Sequence, residues 1–184
     1  MALTKVQAEG VNLADTFAFT GDITGVGVSN LQFFKINTNI TSTTSPVLVT
    51  AYTDGHDNQT FKRIGTAWSV SSGVFTPSAS GLYEITFLAF ESVTSENRYI
   101  QHDFGFSTDS GSNFTNKTFY SCMPHLSSST TYGTFTFPMY FNISNPSTFR
   151  IKFSFSAEKT SVTLKGNSDN NESAFIFKRL ADAQ

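Results

Sequence analysis

The chain has 184 residues, enough for one well-cored domain with a short extension and too few for two full domains. Charged residues make up only 14% while aromatics reach 15%, with 20 Phe and a single Trp; such a mix suits β-strands with Phe inside and Ser or Thr outside, and excludes long charged surface helices. The formal net charge of -2 offers no footprint for nucleic acid or an anionic membrane, and the lone Cys122 excludes an intrachain disulfide and a cysteine-rich zinc site.

In chain order, Met1 is followed by ALTKVQAEG, which lacks the cationic start and apolar stretch of a secretory signal, so synthesis in a cytoplasm without export is expected. No run approaches the roughly 20 apolar residues of a membrane span, and no membrane insertion is expected. VNLADTFAFTGDITGVG sets Phe17, Phe19, Ile23 and Val26 among Thr and Gly, with too little bulk for a core of its own. Residues 1–30 therefore read as an arm, stable when docked on a partner or intertwined with copies of itself. NTNITSTTS (37–45) is polar, which makes 31–45 a linker and 46–184 the globular domain.

Strands are then expected at 46–52, 67–70, 81–90, 102–108, 117–123, 134–144, 148–158, 161–165 and 173–180, each bounded by Gly, Asn, Ser, Asp or Pro. Alternation is cleanest in TFTFPMYFNIS, where Phe135, Phe137, Met139, Phe141 and Ile143 share one face. Phe149, Ile151, Phe153, Phe155 and Ala157 share a face of the next segment, and the intervening SNPS predicts a hairpin between the two. Pro138, on the outward register, predicts an edge position or a bulge. GLYEITFLAF puts Tyr83, Ile85, Phe87 and Ala89 on one face and Leu82, Leu88 and Phe90 on the other, and Phe175 and Phe177 lie opposite Ala174, Ile176 and Leu180. Strands apolar on both faces are covered either by another layer of the monomer or by another subunit; the length of the chain favours a homo-oligomer. The fold expected is an all-β sandwich or barrel.

Chemistry is sparse. His56, His102 and His125 lie in separate segments, and TDGHDN, with Asp54, His56 and Asp57, reads as a turn without the spacing of a calcium loop. Cys122 and His125 in SCMPH are a nucleophile and a base separated by Pro124, with a small buried hydrophobe the expected role of the cysteine. Glu84, Glu91, Glu96 and Asp103 form no identifiable catalytic pair. Six N-x-S/T sequences are expected from chance in a Ser/Thr-rich chain. No enzyme activity, cofactor or metal is expected.

GVFTPSASGLYEITF (73–87) resembles the core signature of the jelly roll shared by tumour necrosis factor and the globular heads of complement recognition proteins, on Gly73, Phe75, Pro77, Gly81, Tyr83 and Phe87. VLVTAYTDG, Trp68 and SAFIFKRL extend the resemblance over about 46–181, although the glycine usual in the final strand is absent. It implies a two-sheet jelly-roll sandwich that forms a homotrimer, with Leu88, Phe90, Phe175 and Phe177 expected at the interface. The arm is similar to N-terminal segments of tail-fibre and other virion proteins of tailed phages, in which F-T-G-x-[VI]-T-G recurs. Together the two imply a trimeric capsid decoration, head-fibre or tail-fibre component docked on capsid or tail proteins, with a knob able to meet host glycan. A free lectin-like trimer binding carbohydrate or a receptor is the alternative.

Overall fold

The computed structural model describes residues 28–55, 63–65, 68–125 and 129–184. The expected docking residues Phe17, Phe19, Ile23 and Val26 lie outside the described residues, as do His56 and Asp57. The strands are β1 (Asn30–Ile36), β2 (Ile40–Thr41), β3 (Val47–Leu48), β4 (Tyr52–Asp54), β5 (Arg63–Ile64), β6 (Ser69–Ser71) and β7 (Val74–Thr76). They continue with β8 (Gly81–Val93), β9 (Ile100–Ser107), β10 (Thr115–Ser121), β11 (Thr131–Ile143), β12 (Arg150–Ala157), β13 (Val162–Leu164) and β14 (Ala174–Ala181). They form two antiparallel sheets packed as a jelly-roll sandwich, with no helix among the described residues.

The first sheet runs β11–β8–β14–β1–β4, with β13 and then β2 extending it beside the end of β8 and β5 pairing with the start of β1. The second runs β10–β9–β12–β7–β6, with β3 also on β12. Register explains the core. Phe137, Phe87, Phe175 and Phe34 stand opposite one another across β11, β8, β14 and β1, all pointing inward. Phe153 and Phe104 of the second sheet meet this row, with ring centroids 4.4 and 5.9 Å from Phe87. Burying side chains of this size contributes roughly 1.5–3 kcal/mol each.

Three expectations are corrected here. Phe175 and Phe177 are core residues, at 2% and 0% exposure, because β14 pairs with β8 in the register that aligns them with Phe87 and Ile85. Residues 134–144 and 148–158 do not form a hairpin: β11 pairs with β8 and β12 with β9, so the Asn145–Thr148 turn carries the chain from one sheet to the other. The polar linker begins too early in the sequence reading, since β1 lies inside the first sheet with Asn30, Gln32, Phe34 and Ile36 buried. Gln32 is tolerated there because its amide is satisfied: it accepts from the Trp68 backbone N–H at 2.6 Å and donates to Asp54 Oδ1 at 3.1 Å.

The signature stretch is scaffold. Ser72 and Gly73, at φ 49° and 78°, make the two-residue turn between β6 and β7 that such left-handed geometry suits. Arg179 crosses directly over Gly81, where a Cβ would lie 2.4 Å from its Nε. Tyr83 donates its hydroxyl back to the Ala79 carbonyl at 3.0 Å and packs edge-on against Trp68, fixing the entry to β8.

The loop between β9 and β10 is closed by Asp109. Ser107 Oγ donates to Oδ1 at 2.5 Å, and Asn113 donates its backbone N–H to Oδ1 and its amide to Oδ2. These bonds hold the Asp109 carboxyl down at about 2, below the roughly 3.9 of a free aspartate. The stabilisation is therefore complete above the unfolded value and lost as pH falls through the folded one. Chemical denaturation of Asp109→Asn across this range is expected to show a deficit near neutrality that narrows between about pH 4 and pH 2; parallel stability curves would contradict it.

Candidate functional site

Three features outside the scaffold carry functional potential: an apolar face with an open edge, a polar cleft, and a buried acid–histidine contact. On the solvent side of the first sheet, Pro138, Thr86, Ile176 and Phe33 line up across four strands, followed by Thr136, Leu88, Ala174 and Lys35. Leu88 and Phe90 lie on this face, and Phe90 stacks on Tyr132 at 5.7 Å. Tyr132 and Tyr140 are 57% and 62% exposed on the same side. The loop before β14 covers one corner of this face, where Ala174 and Lys35 are buried and Lys35 Nζ donates to the Ser168 carbonyl, while Leu88, Phe90 and Ile176 stay half-buried.

At one side of the sandwich β10 and β11 both end their sheets, and no ladder joins them. Pro138 sits on the edge strand, where its missing N–H costs nothing. The gap between the two edges is a cavity of about 500 Å³ lined by Phe106, Phe119, Met139, Phe141 and neighbouring residues. It leaves half-buried phenylalanines at the mouth of the core. Two unlike apolar surfaces on one chain, a face and an edge, have the form required for head-to-tail contact between copies.

The cleft lies at the end of the sandwich where β8 stops and β9, whose Ile100 pairs with Ala157 and Ser121, begins. Its volume is about 440 Å³, and its walls include Glu96, Arg98, Cys122, His125, Glu158 and Lys159. Cys122 is exposed, which corrects its expected role as a buried hydrophobe: it falls just after β10, beyond the cover of the opposite sheet. Cys122 and His125 thus line one cleft, but no hydrogen bond joins them. Glu158 accepts the Arg98 backbone N–H at 2.8 Å and its Nε–H at 2.7 Å. These bonds hold the Glu158 carboxyl below the usual range.

The third feature is absent from the sequence reading. Glu91 on β8 and His102 on β9 are both fully buried, with His102 Nε2 3.0 Å from Glu91 Oε1. Ser121 Oγ lies 3.1 Å from the same Nε2 and donates to Glu91 Oε2 at 3.3 Å. Serine, histidine and carboxylate resemble a hydrolase set only by composition. Serine and acid share one imidazole nitrogen, so the ring cannot relay a proton from one to the other, and His102 Nδ1 has no hydrogen-bond partner among the described residues. The contact is a polar pin between the two sheets. Its signal in the sequence is Glu91 continuing the inward parity of Tyr83 to Ala89, where an apolar residue is otherwise found.

No protein-family model matches the chain, and no curated protein matches it in sequence. Among solved structures it is similar to mouse APRIL, of the tumour necrosis factor family, at 8% identity and a TM-score of 0.55, over 82% of this chain and 98% of that one. A second APRIL structure, at pH 5.0, gives 11% identity and a TM-score of 0.50 over the same shares. PRD1 vertex protein P5 is similar at 20% identity and a TM-score of 0.48, over 86% of this chain and 99% of that one. At these identities the likeness is one of fold: the chain is a two-sheet jelly-roll sandwich, the fold it shares with the APRIL structures.

Glu91→Ala strands a buried histidine and is expected to lower unfolding free energy by about 3–5 kcal/mol, while Glu91→Leu combined with His102→Leu restores most of it. Urea denaturation checks this. A loss below about 1 kcal/mol in the single variant would remove the pin from the account.

Proposed function

We propose that the chain is a non-catalytic, homotrimeric structural component of a tailed-phage virion, a capsid decoration or fibre protein docked through residues 1–27 and presenting its sandwich outward. The observation that carries self-association is the coexistence of an apolar outer face around Leu88 and Phe90 with an open apolar edge between β10 and β11. Two unlike patches suit head-to-tail pairing in sequence around an axis, and a ring that closes leaves neither patch exposed.

Docking by the arm is supported by its sequence. The segment ALTKVQAEGVNLADTFAFTGDITGVG is similar to virion-protein N-termini, and its apolar residues are too few to make a core. Three arms on one trimer bind together, so modest contacts per arm sum to strong attachment. The chain enters the sandwich at Asn30, beside Arg179 at the end of β14, so an anchored arm holds that end of the sandwich toward the particle.

Deletion of residues 1–27, which leaves β1 whole, separates docking from assembly. In particles produced with the truncated chain, immunoblotting of purified virions is expected to show its loss from the particle while the free protein keeps the mass of the full-length assembly less three arms. Incorporation at the unaltered level would overturn the docking role and favour a free lectin-like trimer.

A further inference from the structure

We infer that the cleft between the β8–β9 loop and the end of β12 binds a carboxylate-bearing saccharide, with Arg98 as the residue that recognises the acid group. The placement rests on the proposed arm-anchored orientation. The arm enters beside Gly81, Arg179 and Asn30, whereas the cleft lies past Val93 at the other end of β8. The thirteen residues of β8 separate the two by about 40 Å at roughly 3.3 Å per residue. An anchored chain therefore carries the cleft at its far end.

The chemistry is in the fork. Glu158 takes the Nε–H and the backbone N–H of Arg98, leaving both terminal guanidinium nitrogens without a partner among the described residues. The side chain is 83% exposed, so the terminal nitrogens face solvent. A planar pair of N–H donors, its Nε–H taken by Glu158 from behind, matches the two oxygens of a carboxylate. Asn97 keeps the loop in place: its amide donates to Ser161 Oγ and the Ser95 carbonyl, and its oxygen accepts from the Lys159 N–H at 2.9 Å. Lys159 adds positive charge to the cleft, while Glu96 supplies an acceptor for a hydroxyl.

An exposed aromatic pair outside the cleft lining, at the start of β9 and the end of β10, favours a sugar over a peptide. Tyr99 directly follows Arg98 and packs edge-to-face with Tyr120 at 5.9 Å; the rings are 39% and 62% exposed. Rigid rings with one apolar face and a polar tip suit the C–H face and hydroxyl rim of a pyranose. An extended peptide would seek a free ladder, and the cleft lies in loops beyond the last β9–β10 and β9–β12 pairs.

The test is calorimetric titration of the full-length protein with a galacturonate oligomer and with sialyllactose, against maltotetraose and lactose. At least one acidic saccharide is expected to bind about tenfold or more tighter than its neutral counterpart, with Arg98→Gln and Tyr120→Ala each weakening it about tenfold, or about 1.4 kcal/mol. Arg98→Lys is expected to recover only part, because a point charge lacks the fork. Absence of binding to both acidic probes, equal binding of the neutral sugars, or equal binding of acetate or a tetraglutamate peptide would overturn the proposal. Light scattering on the same samples keeps the readings apart: a trimer that ignores the sugars sinks only this inference, and a monomer that binds them sinks only the assembly.

Discussion

The fold depends on a single transverse row of aromatic rings. Phe87 stacks on Phe175 at 4.5 Å, with Phe137 on its other side and Phe34 one strand further, and Phe153 presses on it from the opposite sheet at 4.4 Å. Because the side-chain period of a strand is two, a one-residue slip in any of β11, β8, β14 or β1 would turn its phenylalanine to solvent. The row thus sets the register of four strands together. It also determines which residues are left outside: with Phe87 and Phe175 inward, Leu88 and Ile176 must face out.

That division creates the face proposed for self-association. A core built from so many rings is filled by the inward set alone, and among the described residues Leu88, Phe90 and Ile176 are left half-buried on the outer face, Phe90 stacking only on the exposed Tyr132. The second sheet manages its outer face differently. There Gln101, Asp103 and Thr118 hydrogen bond to one another, with the Asp103 carboxylate accepting from both neighbours at 2.7 and 2.5 Å. Such a polar, internally satisfied patch has less to gain from burial than an apolar one, and the exposed rings Tyr99 and Tyr120 lie only at the end of this face. The asymmetry favours the first sheet's outer face for the proposed self-association, meeting the β10–β11 edge of a neighbour, and the Arg98 cleft lies at the end of the second sheet.

Most strands were legible from period-two alternation, because Phe and Thr mark the two faces so sharply in β11 and β12. What alternation does not carry is partnership. SNPS between β11 and β12 has turn chemistry, yet nothing local distinguishes a hairpin turn from a crossing between sheets. On β14 both faces are apolar, so the inward face of Phe175 and Phe177 was fixed only by pairing with β8. β1 escaped notice because Asn30 and Gln32 occupy two of its inward slots, and Gln32 is made acceptable by the Trp68 backbone and Asp54, both remote in sequence. The cleft shows the same limit: SCMPH was visible, but the Arg98–Glu158 brace joins residues sixty apart.

The central claim is that the unlike face and edge of one chain close on those of its neighbours. Sedimentation equilibrium of the full-length protein at micromolar concentration tests it without a variant or a ligand. The account predicts a single species of three times the chain mass, and a monomer at that concentration would contradict it.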